Sequence, residues 1–147
     1  MSFSEFTQKD YEVIARNYAD LKEAARKRCA GEQELAVVQK AFDFANEAHK
    51  NVRRRSGEPY ILHPIAVAKI VVNDIGLGYK SIAAALLHDV VEDTDYTVDD
   101  IRHIFGDKIA SLVEGLTKIK NVLDNQDKKS KEDAYSESLQ AENFKRI

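Results

Sequence analysis

The chain has 147 residues, 44% of them hydrophobic and 32% charged, with a formal net charge of −3. That length suits one domain, and the apolar content is too high for a disordered chain. The lack of a basic excess argues against duplex nucleic acid as a partner, although a local cationic cluster or a metal could still hold a small anion.

The N-terminal stretch MSFSEFTQKD has no apolar signal core. No apolar run approaches the ~20 residues needed to span a bilayer. A soluble cytoplasmic protein is expected. The first helix is predicted to start near Thr7, with Tyr11, Ile14, Tyr18, Leu21 and Ala25 as its apolar stripe. Cys29, the single cysteine, cannot form an internal disulfide and reads as an inert thiol in a reducing compartment. Gly31 punctuates. A second helix runs from about Gln33 to near His49, with Leu35, Val38, Phe42 and Ala45 on one face.

The stretch KNVRRRSGEPYILHP, from Lys50 to Pro64, reads as a basic loop through Gly57 and Pro59. Pro64 suits the first turn of a new helix, which is expected over Ile65 to Asn73. Gly76 and Gly78 break the chain before a helix from Tyr79 to about Val91. Thr97 and Asp100 form an N-cap signature for a short helix carrying Val98, Ile101, Ile104 and Phe105. After Gly106 another helix directs Ile109, Leu112, Val113, Leu116 and Ile119 inward. The segment 124–133, DNQDKKSKED, contains no apolar residue and reads as a mobile solvated loop. A last helix starts near Ser136. Its end, AENFKRI, has no glycine cap or proline stop, which implies a piece of a longer protein. No alternation marks a strand. The expected fold class is all-α, a compact bundle of about six or seven helices.

ALLHDVVED, residues 85–93, carries the chemistry. At about 100° per residue, His88, Asp89, Glu92 and Asp93 share one sector of roughly 140°. Leu87, Val90 and Val91 take the other side. Three carboxylates so close repel one another unless a cation lies between them. Imidazole with carboxylate suits Mn²⁺, Fe²⁺ or Zn²⁺. A further ligand must come from another helix, and His63, at a helix start, is the obvious candidate. His49 reads as an outer or core histidine and His103 as a surface one.

RRRSGEPYILHPIAVAKIV, AALLHDVVEDT, IFGDKIASLVEGLTKI and AEN, in that order, resemble the N-terminal hydrolase domain of the RelA/SpoT proteins. These are HD-type metal phosphohydrolases of the alarmone (p)ppGpp. The resemblance runs from roughly Ala41 to the end, and the whole of 1–147 is expected to be one HD-type domain incomplete at its C-terminus. It implies that His63, His88 and Asp89 ligate Mn²⁺ and that Glu92 and Asp93 position or activate the attacking water. It implies that Arg54 and Arg55 flank the guanine base, where the family usually has Arg-Lys, and that Ser56 and Tyr60 line the nucleotide pocket.

The implied substrate is ppGpp or pppGpp, cleaved at its 3′-pyrophosphate. The implied parent is a RelA/SpoT-type synthetase/hydrolase with synthetase and regulatory domains downstream, also a GTP pyrophosphokinase, acting in the stringent response. The family continues beyond AEN into a segment resembling K-L-A-D-R-L-H-N, whose Asp is the last metal ligand. With only three protein ligands, this chain is expected to bind Mn²⁺ weakly and to show little or no hydrolysis. Two other readings compete: a regulatory domain controlling an attached synthetase, and an HD phosphohydrolase of another nucleotide. The RRRSGEPY loop argues against the latter.

Overall fold

A computed structural model describes residues 2–118 of the chain. Five α-helices are bounded: α1 (Gln8–Arg26), α2 (Glu32–Ala48), α3 (Leu62–Ile70), α4 (Tyr79–Asp93) and α5 (Val98–Phe105). Residues 107–118 are helical as well, and the chain through Leu116 makes one compact unit. The all-α expectation holds. The expected loop over 124–133, the helix from Ser136 and the inward Ile119 lie outside the described residues.

Helix starts follow the polar signals. Thr7 caps α1 by accepting from the Asp10 amide at 3.2 Å, while Asp10 accepts from the Thr7 amide at 2.8 Å. Thr97 and Asp100 repeat that reciprocal box at α5. Each box satisfies two donors that the first helical turn would leave unpaired. Ile14, Tyr18, Leu21 and Ala25 are buried as their spacing predicts, but Tyr11 is not. Phe6, just ahead of the cap, takes the buried place, and Tyr11 packs edge-on against it at 5.7 Å. This is the staple that fixes how a chain enters a helix.

α3 begins at Leu62 rather than Ile65, so His63 and Pro64 both belong to its first turn. Proline is tolerated there because the missing N–H has no partner to lose. After Ile70 the chain widens into a π-helical turn, Val71–Ile75, closed by Gly76 at φ +77°. A side chain there would be strained in the left-handed region, and the Arg28 guanidinium lies 3.2 Å from where its Cβ would stand.

α4 is the central helix. It packs most extensively against α2 and next against α3. Every residue from Ile82 through Val90 is buried, His88 and Asp89 included. A helix covered on all sides needs apolar or small residues all round, and Ala83, Ala84 and Ala85 let neighbours approach closely. The expected polar wall beside a core is therefore corrected: His88 and Asp89 lie inside the packing, and only Glu92 and Asp93 reach the surface.

Strand pairing was not legible in the sequence. Ser2–Phe3 (β1) pairs antiparallel with Val52–Arg53 (β2), Ser2 opposite Arg53. Segments of two residues are too short to show a period-2 pattern. Asn51, at φ +65°, turns the chain into β2 and accepts from the Phe6 amide at 2.9 Å through Oδ1. Arg53 donates to the Glu5 carbonyl at 2.7 Å, to the Gly57 carbonyl at 3.0 Å and to the Asp10 carboxylate at 2.8 Å. The N-terminal strap and the start of α1 thus fasten the basic loop.

Two outcomes follow from this packing. Leu86→Ala, at a fully buried position of α4, is expected to cost about 2–5 kcal/mol in denaturant unfolding. The hydrogen bond from Arg53 holds the Asp10 carboxyl down to about 2. A carboxyl lowered on folding stabilises the protein above its unfolded value and loses that contribution as pH falls toward the folded value. Melting curves of wild type and Asp10→Asn should differ near neutral pH and converge between about pH 4 and pH 2.

Candidate functional site

Asp89 is the centre of the site. Its side chain is 0% exposed, with an imidazole on either side. His63 Nε2, from the first turn of α3, is 3.7 Å from Asp89 Oδ2. His88 Nε2 is 3.3 Å from Asp89 Oδ1. α3 and α4 therefore bring together the three residues read from the sequence as metal ligands. The Nδ1–H of His88 donates to the Ala85 carbonyl at 2.6 Å. A carbonyl can only accept, so that bond turns the other ring nitrogen, Nε2, toward Asp89. Backbone-anchored imidazole of this kind is the usual form of a metal-ligating histidine.

The donor set fits a transition-metal ion in kind. Ligands at roughly 2.0–2.2 Å from an ion stand about 3.0–3.5 Å from one another. The His88–Asp89 spacing falls in that range and the His63–Asp89 spacing just outside it. Among the described residues, no three ligating side chains converge on one point as a finished metal cage.

Tyr60 joins this centre to the basic loop. Burial pushes its hydroxyl well above the usual phenol range, followed by the charges of Asp89 and Asp93 and hydrogen bonds to both. Its ring lies 5.0 Å from that of His49 and 5.8 Å from that of His63. On its other side Tyr60 lines a cleft of about 520 Å³ with Arg54, Arg55, Ser56 and Glu58. The hydroxyl of Ser56 donates to the Glu58 carboxylate. All four residues read as nucleotide-binding thus share one cleft that adjoins the ligand set. Glu92 is exposed on the last turn of α4.

The three arginines have different roles. Arg53 is 14% exposed and committed to the strap described above. Arg54 and Arg55 are exposed at the cleft. Glu58 was not legible as a site residue, and His49, read from the sequence as an outer or core histidine, is buried. His49 Nε2 is 3.3 Å from Asp93 Oδ2. The signal for His49 was there: it continues the α2 stripe of Leu35, Val38, Phe42 and Ala45 in steps of three and four, so a polar ring at that place had to be buried. Cys29 is half-buried, and burial raises its thiol above the usual value, as fits an unreactive sulfur.

Residues 41–147 match the family model for the HD domain. The chain is 41% identical over 115 residues to a guanosine-3′,5′-bis(diphosphate) 3′-pyrophosphohydrolase of Aquifex aeolicus, covering 78% of this chain and 15% of that protein. It is 42% identical over 116 residues to the bifunctional (p)ppGpp synthase/hydrolase SpoT of Escherichia coli, covering 79% and 15%. To a probable GTP pyrophosphokinase of Mycobacterium leprae it is 47% identical over 89 residues, covering 60% and 11%. The match takes in only a small part of the length of each relative.

Alanine at each of the three arginines separates their roles. Arg53→Ala should lower the melting temperature clearly, since three hydrogen bonds go with it. Arg54→Ala and Arg55→Ala should leave unfolding free energy within about 0.5 kcal/mol of wild type.

Proposed function

The chain belongs to the HD-domain family, within its RelA/SpoT branch, and we propose that it acts as a metal-dependent (p)ppGpp 3′-pyrophosphohydrolase domain. Hydrolases of the HD-domain family are in general metal-dependent. The observation that carries the reading is Tyr60. One side chain faces the carboxylates of Asp89 and Asp93 and also the cleft of Arg54, Arg55 and Ser56. A nucleotide in the cleft would therefore have its phosphates within reach of the α4 acids.

His63, His88 and Asp89 would hold the ion, which the family resemblance implies is Mn²⁺. Such an ion, when bound, lowers the pKa of water and polarises a phosphoryl oxygen. The rest falls to this chain's own residues. Arg54 and Arg55 stack a guanidinium on the purine face and oppose phosphate charge. Ser56 and Tyr60 offer hydroxyls to the sugar–phosphate. Asp93 or Glu92 orients the water and takes its proton. The water oxygen bonds to the phosphorus next to O3′, the P–O3′ bond breaks, and O3′ leaves with a proton. GDP or GTP and pyrophosphate result, which fits turnover of the alarmone in the stringent response.

We place the domain in the cytoplasm; no helix among the described residues is long and apolar enough to cross a membrane. The relatives' greater length supports further synthetase and regulatory domains in a parent chain. A regulatory reading draws on the relative named as a GTP pyrophosphokinase.

The test, on the full-length parent chain, is Mn²⁺ binding by calorimetry together with hydrolysis at saturating Mn²⁺, read as pyrophosphate release from ppGpp and pppGpp, phosphate release from dNMPs and ring opening of cyclic nucleotides. Wild type should prefer the alarmones. His88→Ala should weaken Mn²⁺ by more than the ~10–100-fold that loss of an outer partner costs. Equal Mn²⁺ affinity in the two proteins, or release from dNMPs alone, would sink the proposal.

A further inference from the structure

We propose that His49 is a positioning residue for the hydrolysis. By a partly buried hydrogen bond it fixes the Asp93 carboxylate beside Tyr60, and it does not ligate the metal. This rests on the hydrolase reading above and adds to it a residue from α2. His49 is 1% exposed, at the C-terminal end of α2. Its Nδ1–H donates to the Ala45 carbonyl at 3.2 Å, and its Nε2 faces Asp93 Oδ2 at 3.3 Å.

Carbonyl and carboxylate are both acceptors, so the imidazole needs a hydrogen toward each, or one proton lies between Nε2 and Oδ2. Either way the contact is a charge-assisted hydrogen bond in a partly buried place. The opposite arrangement, a bare lone pair against a carboxylate, would be repulsive and would not persist at 3.3 Å.

The surroundings say what that bond does. Asp93 is the last residue of α4, where helices fray, yet its side chain is only 19% exposed. The chain beyond it leaves the helix: Thr94 is extended, and its hydroxyl caps the Val90 carbonyl at 2.6 Å. Without His49, Asp93 would stand on a fraying turn beside Tyr60. With it, α2 holds the carboxylate from below and Tyr60 holds it from the side, the two rings 5.0 Å apart and tilted by 30°. An acid that must take a proton from one water molecule profits from such a grip, because a displacement of about 1 Å can cost on the order of 100-fold in rate. α2 and α4 are the most extensively packed pair of helices, so the grip is anchored in rigid structure.

The experiment uses the full-length parent chain with His49→Leu and His49→Gln. The Gln amide nitrogen stands close to the place of Nε2 and can still donate to Asp93. With ppGpp at saturating Mn²⁺, His49→Leu should lower kcat by about 10–100-fold, with KM and Mn²⁺ affinity unchanged. His49→Gln should recover most of the rate. In metal-free wild type, long-range ¹H–¹⁵N spectra should show a slowly exchanging His49 Nε2 proton that is lost in Asp93→Ala.

An unchanged kcat in His49→Leu overturns the proposal. So does a fall in Mn²⁺ affinity matching that of His88→Ala, which would make His49 a ligand. If His49→Leu does not fold, His49→Gln and the ring proton decide. A wild type that binds Mn²⁺ yet leaves ppGpp intact contradicts the hydrolase reading instead, and absence of the Nε2 proton then removes the His49–Asp93 bond as well.

Discussion

A carboxylate with no solvent exposure is the constraint on which the rest of the site depends. Moving an ionised carboxyl out of water costs several kcal/mol unless charge or hydrogen bonds replace the hydration. Asp89 sits in the middle of α4, in the most covered part of the core. The fold meets that cost with two imidazoles and a tyrosine, and each comes from a place the backbone had to supply. His88 is the preceding residue, turned by its bond to Ala85. His63 needs α3 to begin early enough to present it. Tyr60 needs the basic loop to end against α4. A cation among these donors would complete the compensation, and this is why so polar a cluster can occupy the interior of a small bundle.

Around that centre the groups are graded by depth. His49 and Asp89 are buried, His88 almost so, Tyr60 and His63 half-buried, and Arg54, Arg55 and Glu92 exposed. Interactions strengthen where water is excluded. The inner residues are thus suited to fixing position and the outer ones to meeting a polyanionic ligand from solution. The cleft need not carry a large basic field for this. Two arginines on a firmly anchored loop supply local positive charge in a chain whose net charge is −3.

Helix positions, and the clustering of His63 with His88 and Asp89, could be read from the sequence because their signals are local. Thr7 and Thr97 announce their helices by side-chain chemistry within three residues. Leu35, Val38, Phe42 and Ala45 announce a buried face by period. His63, His88 and Asp89 stood out because imidazole and carboxylate beside an apolar run demand an explanation. The missed features all depend on distant partners. Arg53 looks like its two neighbours until residues 2–10 fold over it. His49 reads as an outer or core histidine, but its partner Asp93 shows only once α2 and α4 pack together. Tyr11 loses its expected place to Phe6, which lies outside the helix and so outside its period. The burial of His88 and Asp89 was misjudged because a helical wheel counts one face as core, whereas α4 is covered on every side.

The pairing of Ser2 with Arg53 makes the chain's first residues neighbours of the cleft rim. Arg54 is the next residue in sequence after that partner. A dye attached at residue 2 would therefore report on occupancy of the cleft without touching any of the nine side chains proposed for ligand or water. For the same reason a purification tag joined there would crowd the one loop that gives the cleft its positive charge.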